Sequence, residues 1–130
     1  MTLSAEVRAL FDARNFASLA TINPDGSPQS SVVWVLRDGD DLLFSALVDR
    51  KKARNVVRDP RVSVTIHDAG NPYTSAEVRG TAVVSADPAK ELPLALSRKY
   101  LGVEPPHEPD DRTRVVIRVT PTTVHYVSLL

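Results

Sequence analysis

Apolar positions recur along the chain in two periods, and the switches between them mark the elements. Val7, Leu10 and Phe11 fall at helical spacing behind Ser4, which predicts a short opening helix over 4–14 with Ser4 as its N-cap. The apolar, β-branched run from Phe16 to Ile22 then reads as a strand, stopped by Asn23-Pro24-Asp25-Gly26, a turn sequence. A return strand over 28–36 and a third over 41–48, separated by Arg37-Asp38-Gly39-Asp40, complete an antiparallel meander. Asp49 is placed to cap a helix over 50–59, with Ala53, Val56 and Val57 on one stripe and Pro60 ending it. Val62, Val64 and Ile66 alternate with polar neighbours in a half-buried strand over 61–68, and Ala69-Gly70-Asn71-Pro72 turns the chain again.

A long strand follows over 73–86, and Gly80 within it predicts a bulge or a close backbone approach. Leu92, Leu96 and Tyr100 define a third helix begun near Asp87-Pro88, which Pro93 must either join in its first turn or kink. Residues 101–111 are too proline-rich and acidic for a regular element. Strand material resumes over 114–119 and 124–128, with Pro121 predicting a break. These elements assemble most economically as one mainly β domain spanning 1–130, a small closed barrel of six strands with three short peripheral helices.

Composition narrows the chemistry. Sixteen basic residues balance sixteen acidic ones, which removes the bulk charge of a nucleic-acid binder. The absence of cysteine excludes disulfides, thiolate catalysis and cysteine-ligated metal, and fits a cytosolic chain. The N-terminal stretch has early acidic residues and no continuous apolar core, so no secretion signal is expected. The three histidines, His67, His107 and His125, lack helical metal-ligand spacing, and no metal site is expected. Neither a nucleophile motif for hydrolysis nor a glycine-rich nucleotide fingerprint is present. Trp34, with Phe44 on the next strand, reads as core rather than as a stacking platform.

The most informative stretch is Arg50-Lys51-Lys52-Ala53-Arg54-Asn55. Its four cations gather at the start of a predicted helix, where the macrodipole disfavours positive charge. An anion bound there would explain them, since free N–H groups and cationic side chains would converge on it as they do in phosphate capture.

The segments LATINPDGSPQSS, DLLFSALVDRKKARNVVRDPRVSV and EVRGTAVV together resemble the split-barrel flavin and deazaflavin oxidoreductases related to pyridoxamine 5'-phosphate oxidase, over nearly the whole chain. The spacing of Arg50, Lys52, Arg54, Asn55 and Asp59-Pro60-Arg61-Val62 is most similar to the branch that binds the deazaflavin coenzyme F-420. The resemblance implies a six-stranded split barrel, a homodimer with a cofactor in each of two clefts between subunits, and hydride transfer to a small unsaturated or quinone-like acceptor. It assigns the cofactor phosphate to Arg50 and Lys52, with Arg54 and Asn55 beside them. Gln29, Ser31 and Val33 on the second strand and Ser45 on the third would face the ring edge or ribityl chain, and Tyr73 would wall the ring system from the partner subunit. Tyr126 is a candidate proton donor. Flavin mononucleotide is the alternative cofactor, disfavoured because Gln29-Ser30-Ser31-Val32 lacks the arginine usual in that branch. A binding protein without turnover, a carrier or sensor, is the alternative of another class.

Overall fold

The turn at Asn23-Pro24-Asp25-Gly26 closes through local groups. Gly26 takes φ 87°, its N–H donates to the Asn23 carbonyl at 2.9 Å, and the Asp25 carboxylate accepts the Ser27 N–H at 3.0 Å. This aligns β1 (Ala17–Ile22) antiparallel to β2 (Pro28–Val33), with Ala17 opposite Val33 and Ile22 opposite Pro28. The computed structural model describes residues 1–129. Ahead of the hairpin, Ser4 caps α1 (Ala5–Asp12) by accepting the Val7 N–H at 3.2 Å, and Val7, Leu10 and Phe11 are buried as their spacing requires.

The expected six-stranded closed barrel is corrected to seven strands in one sheet, and the difference arises at one place. The run over 28–36 is not continuous: β2 ends at Val33, and a separate β3 (Leu36–Asp38) pairs with β4 (Asp41–Leu47). With β5 (Arg61–Asp68), β6 (Asn71–Ala86) and β7 (Arg114–Ser128), the order is β2-β1-β5-β6-β7-β4-β3. The two edge strands are therefore consecutive in the chain, joined only by Trp34 and Val35. The sheet curls to bring its edges to that seam around one core, in which Leu19, Val35, Phe44, Ile66, Val78 and Ile117 are fully buried.

The predicted interruption at Pro121 is also corrected. β7 runs unbroken past it, because the register against β6 shifts there: Gly80 faces Pro121 while Arg79 faces Thr123, leaving Thr122 as the extra residue. The bulge absorbs the missing proline N–H, and the Thr122 hydroxyl donates to the Arg79 carbonyl at 3.2 Å.

Helix α3 (Glu91–Leu101) forms a second layer on the outer face, where Leu92, Leu96 and Tyr100 pack against Trp34, Leu36, Leu43 and Val116. Pro93 sits in its first turn, where a missing N–H costs nothing. Lys90 holds the N-cap position in a left-handed conformation, and its side chain makes no capping bond to the helix. The buried carboxylate of Asp87 takes over, accepting the N–H groups of Glu91 at 3.0 Å and Leu92 at 3.1 Å. Asp87→Ala removes both acceptors and is expected to cost ~1–2 kcal/mol in urea unfolding, whereas Asp87→Asn, which keeps one acceptor, should lose about half of that. Among the described residues no helix is long and apolar enough to cross a membrane.

Candidate functional site

Helix α2 (Lys51–Arg58) begins one residue later than the composition suggests, and Asp49 does not cap it. Arg50 occupies the N-cap with no side-chain bond, and the first turn holds no acidic residue. The chain has thus stacked Arg50, Lys51, Lys52 and Arg54 on the positive end of a helix dipole without the capping oxygen that would offset them. Arg50, Lys51 and Arg54 are exposed, and Lys52 is half-buried. Burial, and then the charges of Arg50 and Arg114, hold the Lys52 ammonium below the usual lysine range. No carboxylate among the described residues pairs with Lys52.

Lys52 opens onto a cleft of about 350 Å³ at the seam of the sheet, bounded by the end of β2, by β4 and by α3. Of the residues singled out from the sequence, Val33, Ser45 and Lys52 line it, and Val32, Trp34 and Arg114 join them. Phe44 and Ala46 point into the core, so Ser45, between them in β4, faces outward to the cleft. Its hydroxyl oxygen is buried and, among the described residues, lacks a hydrogen-bond partner, as does that of Ser31 on β2. Buried hydroxyls are ordinarily bonded, so the Ser45 oxygen marks a place in the cleft where a polar group fits, whereas Ser31 is not among the residues lining it. Arg114 is already engaged: its guanidinium donates to Glu108 at 2.9 Å, and Lys90 lies 3.1 Å from the same carboxylate. The Arg114 hydrogen bond, aided by Lys90, pulls Glu108 down to about 2. A larger cavity of about 770 Å³ adjoins the cleft, with Pro93, Pro105, Pro106 and Arg114 lining both.

The remaining candidates fall elsewhere. Asn55 is buried, with its amide nitrogen donating to Thr21 Oγ1 and Asn23 Oδ1, each at 3.0 Å. Thr21 in turn donates to Gln29 Oε1 at 2.7 Å. This relay fastens α2 to the β1–β2 hairpin, so the polar groups of Asn55 and Gln29 engage the fold. Tyr73 is exposed at the start of β6, whereas the cleft residue Arg114 pairs with Leu47 and is next in chain to Val115, which lies opposite Ala86 at the far end of β6. Tyr126 lines a separate depression against α1, with Leu10, Ala13 and Thr74. Sequence reasoning missed Trp34 and Arg114 as cleft residues. The signal for Trp34 was its position in a run that changes edges, which is invisible without the seam; Arg114, first residue after a proline-rich loop, carried none.

A single curled antiparallel sheet, with a cationic helix start and an orphaned Ser45 hydroxyl at its seam, defines the class of molecule. Residues 3–128 match the family model described as Pyridoxamine 5'-phosphate oxidase, and the chain belongs to that family. Among solved structures it is similar to an F-420 reductase at 33% identity, covering 95% of this chain and 98% of that one with a TM-score of 0.86. It also shares its fold with a conserved hypothetical protein from Mycobacterium tuberculosis (23% identity, 98% and 86% coverage, TM-score 0.80). A further likeness is to General Stress Protein 26 from Bacillus anthracis (21% identity, 94% and 91% coverage, TM-score 0.71).

Proposed function

We propose that the chain is an oxidoreductase that binds the deazaflavin coenzyme F-420 and serves hydride transfer to a small unsaturated or quinone-like acceptor. The observation that carries this reading is the half-buried Lys52 ammonium, without a carboxylate partner among the described residues, at an uncapped helix start and opening onto a cleft with an orphaned Ser45 hydroxyl. The likeness to an F-420 reductase supports deazaflavin over flavin mononucleotide. The residues fit a phosphorylated ring cofactor: Lys52 and Arg50 would hold the phosphate, with Arg54 one turn on as a further cation. Ser45, Ser31 and Val33 would border the bound molecule, and Gln29 and Asn55 would position β2 and α2 around it. When bound, the cofactor supplies the hydride chemistry; the chain orients it and excludes water.

The cleft is small for such a cofactor, at the low end of the ~300–1,000 Å³ range of small-molecule sites, and it is open. A homodimer that completes each site from a second copy is therefore part of the proposal, and Tyr73 would reach a cofactor only across such an interface. Exposed Val32 at the cleft rim and Val83 on β6 are apolar surface that a second copy would cover. Cytosolic residence, in keeping with a chain free of cysteine, is likewise proposed.

The test is a fluorescence titration with coenzyme F-420 and, separately, flavin mononucleotide, on wild type and Lys52→Ala. Wild type is expected to bind F-420 more tightly, and the variant to bind it at least tenfold more weakly, a loss of ~1.4 kcal/mol. Wild-type affinity should also fall with rising pH earlier than an ordinary lysine would dictate, because Lys52 loses its proton sooner. Preference for flavin mononucleotide would transfer the reading to a flavin-dependent reductase, tight binding without turnover of any quinone would make the chain a carrier, and binding of neither ligand would overturn the proposal.

A further inference from the structure

The seam that splits the sheet is held by α3 in an unusual way. Val35 lies between β2 and β3, where its peptide groups belong to no ladder. Two consecutive α3 residues satisfy them: the Val35 N–H donates to Tyr100 Oη at 3.2 Å, and Lys99 Nζ donates to the Val35 carbonyl at 2.7 Å. Lys99 also donates to the Phe11 carbonyl at 2.5 Å, and Tyr100 to the Asn15 carbonyl at 2.6 Å. The residue before Val35 is thereby fixed as well. The Trp34 indole lies parallel to the Tyr100 ring, with centroids 5.1 Å apart and an interplanar angle of 5°, and Tyr100 is backed by Phe16 at 5.7 Å. Core packing alone does not require this, because Trp34 is only half-buried and lines the cleft.

The cleft lining is chemically mixed: Trp34, Leu96, Leu101 and three prolines are aromatic or apolar, while Ser45, Lys52 and Arg114 are polar or cationic. An aromatic side chain locked in orientation has already given up the rotamer freedom that ring stacking would otherwise cost. We propose that Trp34 is the ring-selecting residue of this cleft, recognising a planar aromatic system whose anionic substituent is held separately at Lys52. The inference rests on the cofactor reading above but assigns the ring and the anion to different residues, so the two can fail independently.

The experiment compares wild type, Trp34→Leu, Trp34→Phe and Lys52→Ala with two probes: coenzyme F-420 and the same ribityl deazaflavin chromophore without its phosphate. Trp34→Leu is expected to weaken both probes about tenfold, since it removes the aromatic face on which the ring would stack. Trp34→Phe, which keeps a ring, should retain most of the affinity. Lys52→Ala should weaken only the phosphorylated probe. At saturation, the bound chromophore's visible band should be shifted in wild type and Trp34→Phe and unshifted in Trp34→Leu, a signature that simple loss of stability does not produce. Unchanged affinity and an unchanged band for both probes in Trp34→Leu would overturn the assignment. An unaffected Lys52→Ala would instead overturn the phosphate reading while leaving Trp34 in place.

Discussion

Gly80→Ala is expected to destabilise the protein by ~3 kcal/mol, the upper end of what one extra methyl costs in a packed interior. A Cβ at this position would run into the Thr120 carbonyl oxygen, and would lie 2.9 Å from the Thr120 carbonyl carbon and 3.1 Å from Pro121 Cα. Every obstructing atom is backbone, so no rotamer change relieves the clash. The obstruction also sits in the middle of β6 and β7, the two longest strands, where separating the ladder would disturb pairing on both sides. The glycine is needed for this close approach and not for its backbone angle, since its φ is not among the positive ones. Urea unfolding should show a lower midpoint with an unchanged slope. Thr122→Ala at the same bulge removes one exposed hydroxyl bond and should cost under ~1 kcal/mol. A Gly80→Ala loss no larger than that would disprove the close-approach account.

That bulge also shows what local reading could and could not supply. Gly80 was legible as a point of close approach, and Pro121 was legible as a residue a ladder dislikes, but their cancellation across two strands was not. Each rule applied to its own segment, and only pairing Gly80 with Pro121 made one continuous β7 of them. The seam fails to show in sequence for a similar reason. Pro28 to Leu36 contains no internal glycine or proline, so nothing local breaks it. The break is held by Tyr100, 65 residues beyond Val35. Periodic segments fared better because their signal is self-contained: Val62, Val64 and Ile66 are buried in alternation on β5, and Ser4 caps α1.

The candidate site divides along the same line. The cations at the start of α2 announce themselves by conflicting with the helix dipole, a conflict visible without any structure. Which of them faces a cleft is settled by the neighbours of α2: Lys52 is half-buried, while Lys51 beside it is exposed. Trp34 was read as core because a lone tryptophan in a meander usually is. Its half-exposure follows from the strand break, so the same unseen seam hid both the seventh strand and the aromatic residue that lines the cleft.

The other large effect expected is at Asn55, whose replacement should cost ~3 kcal/mol, combining unsatisfied buried partners with the void left by the amide. Asn55 is 2% exposed and uses both sides of its amide: Nδ2 donates to Thr21 Oγ1 and Asn23 Oδ1, and Oδ1 accepts from Arg58 Nη1 at 3.3 Å. In Asn55→Ala, Asn23 Oδ1 loses this donor, and Thr21 keeps only its bond to Gln29. Asn55→Asp should be at least as damaging, although it preserves shape. An oxygen would replace the donor facing Asn23 Oδ1 and Thr21 Oγ1, and Thr21 already donates its proton to Gln29. Turning the Asn23 amide over to compensate would sacrifice its 3.2 Å bond to Ser27. A buried carboxylate would add its own desolvation cost. The two variants therefore separate a hydrogen-bond role from simple space filling: if Asn55→Asp were as stable as wild type, the relay would not be what fixes α2. Because the relay ties α2 to the hairpin that carries Gln29, Ser31 and Val33, both variants should also loosen the placement of Lys52 relative to β2. Ligand titration under conditions where each variant remains folded is expected to show weaker binding of phosphorylated chromophore than wild type. That would make Asn55 a residue that acts on the cleft through the helix it anchors.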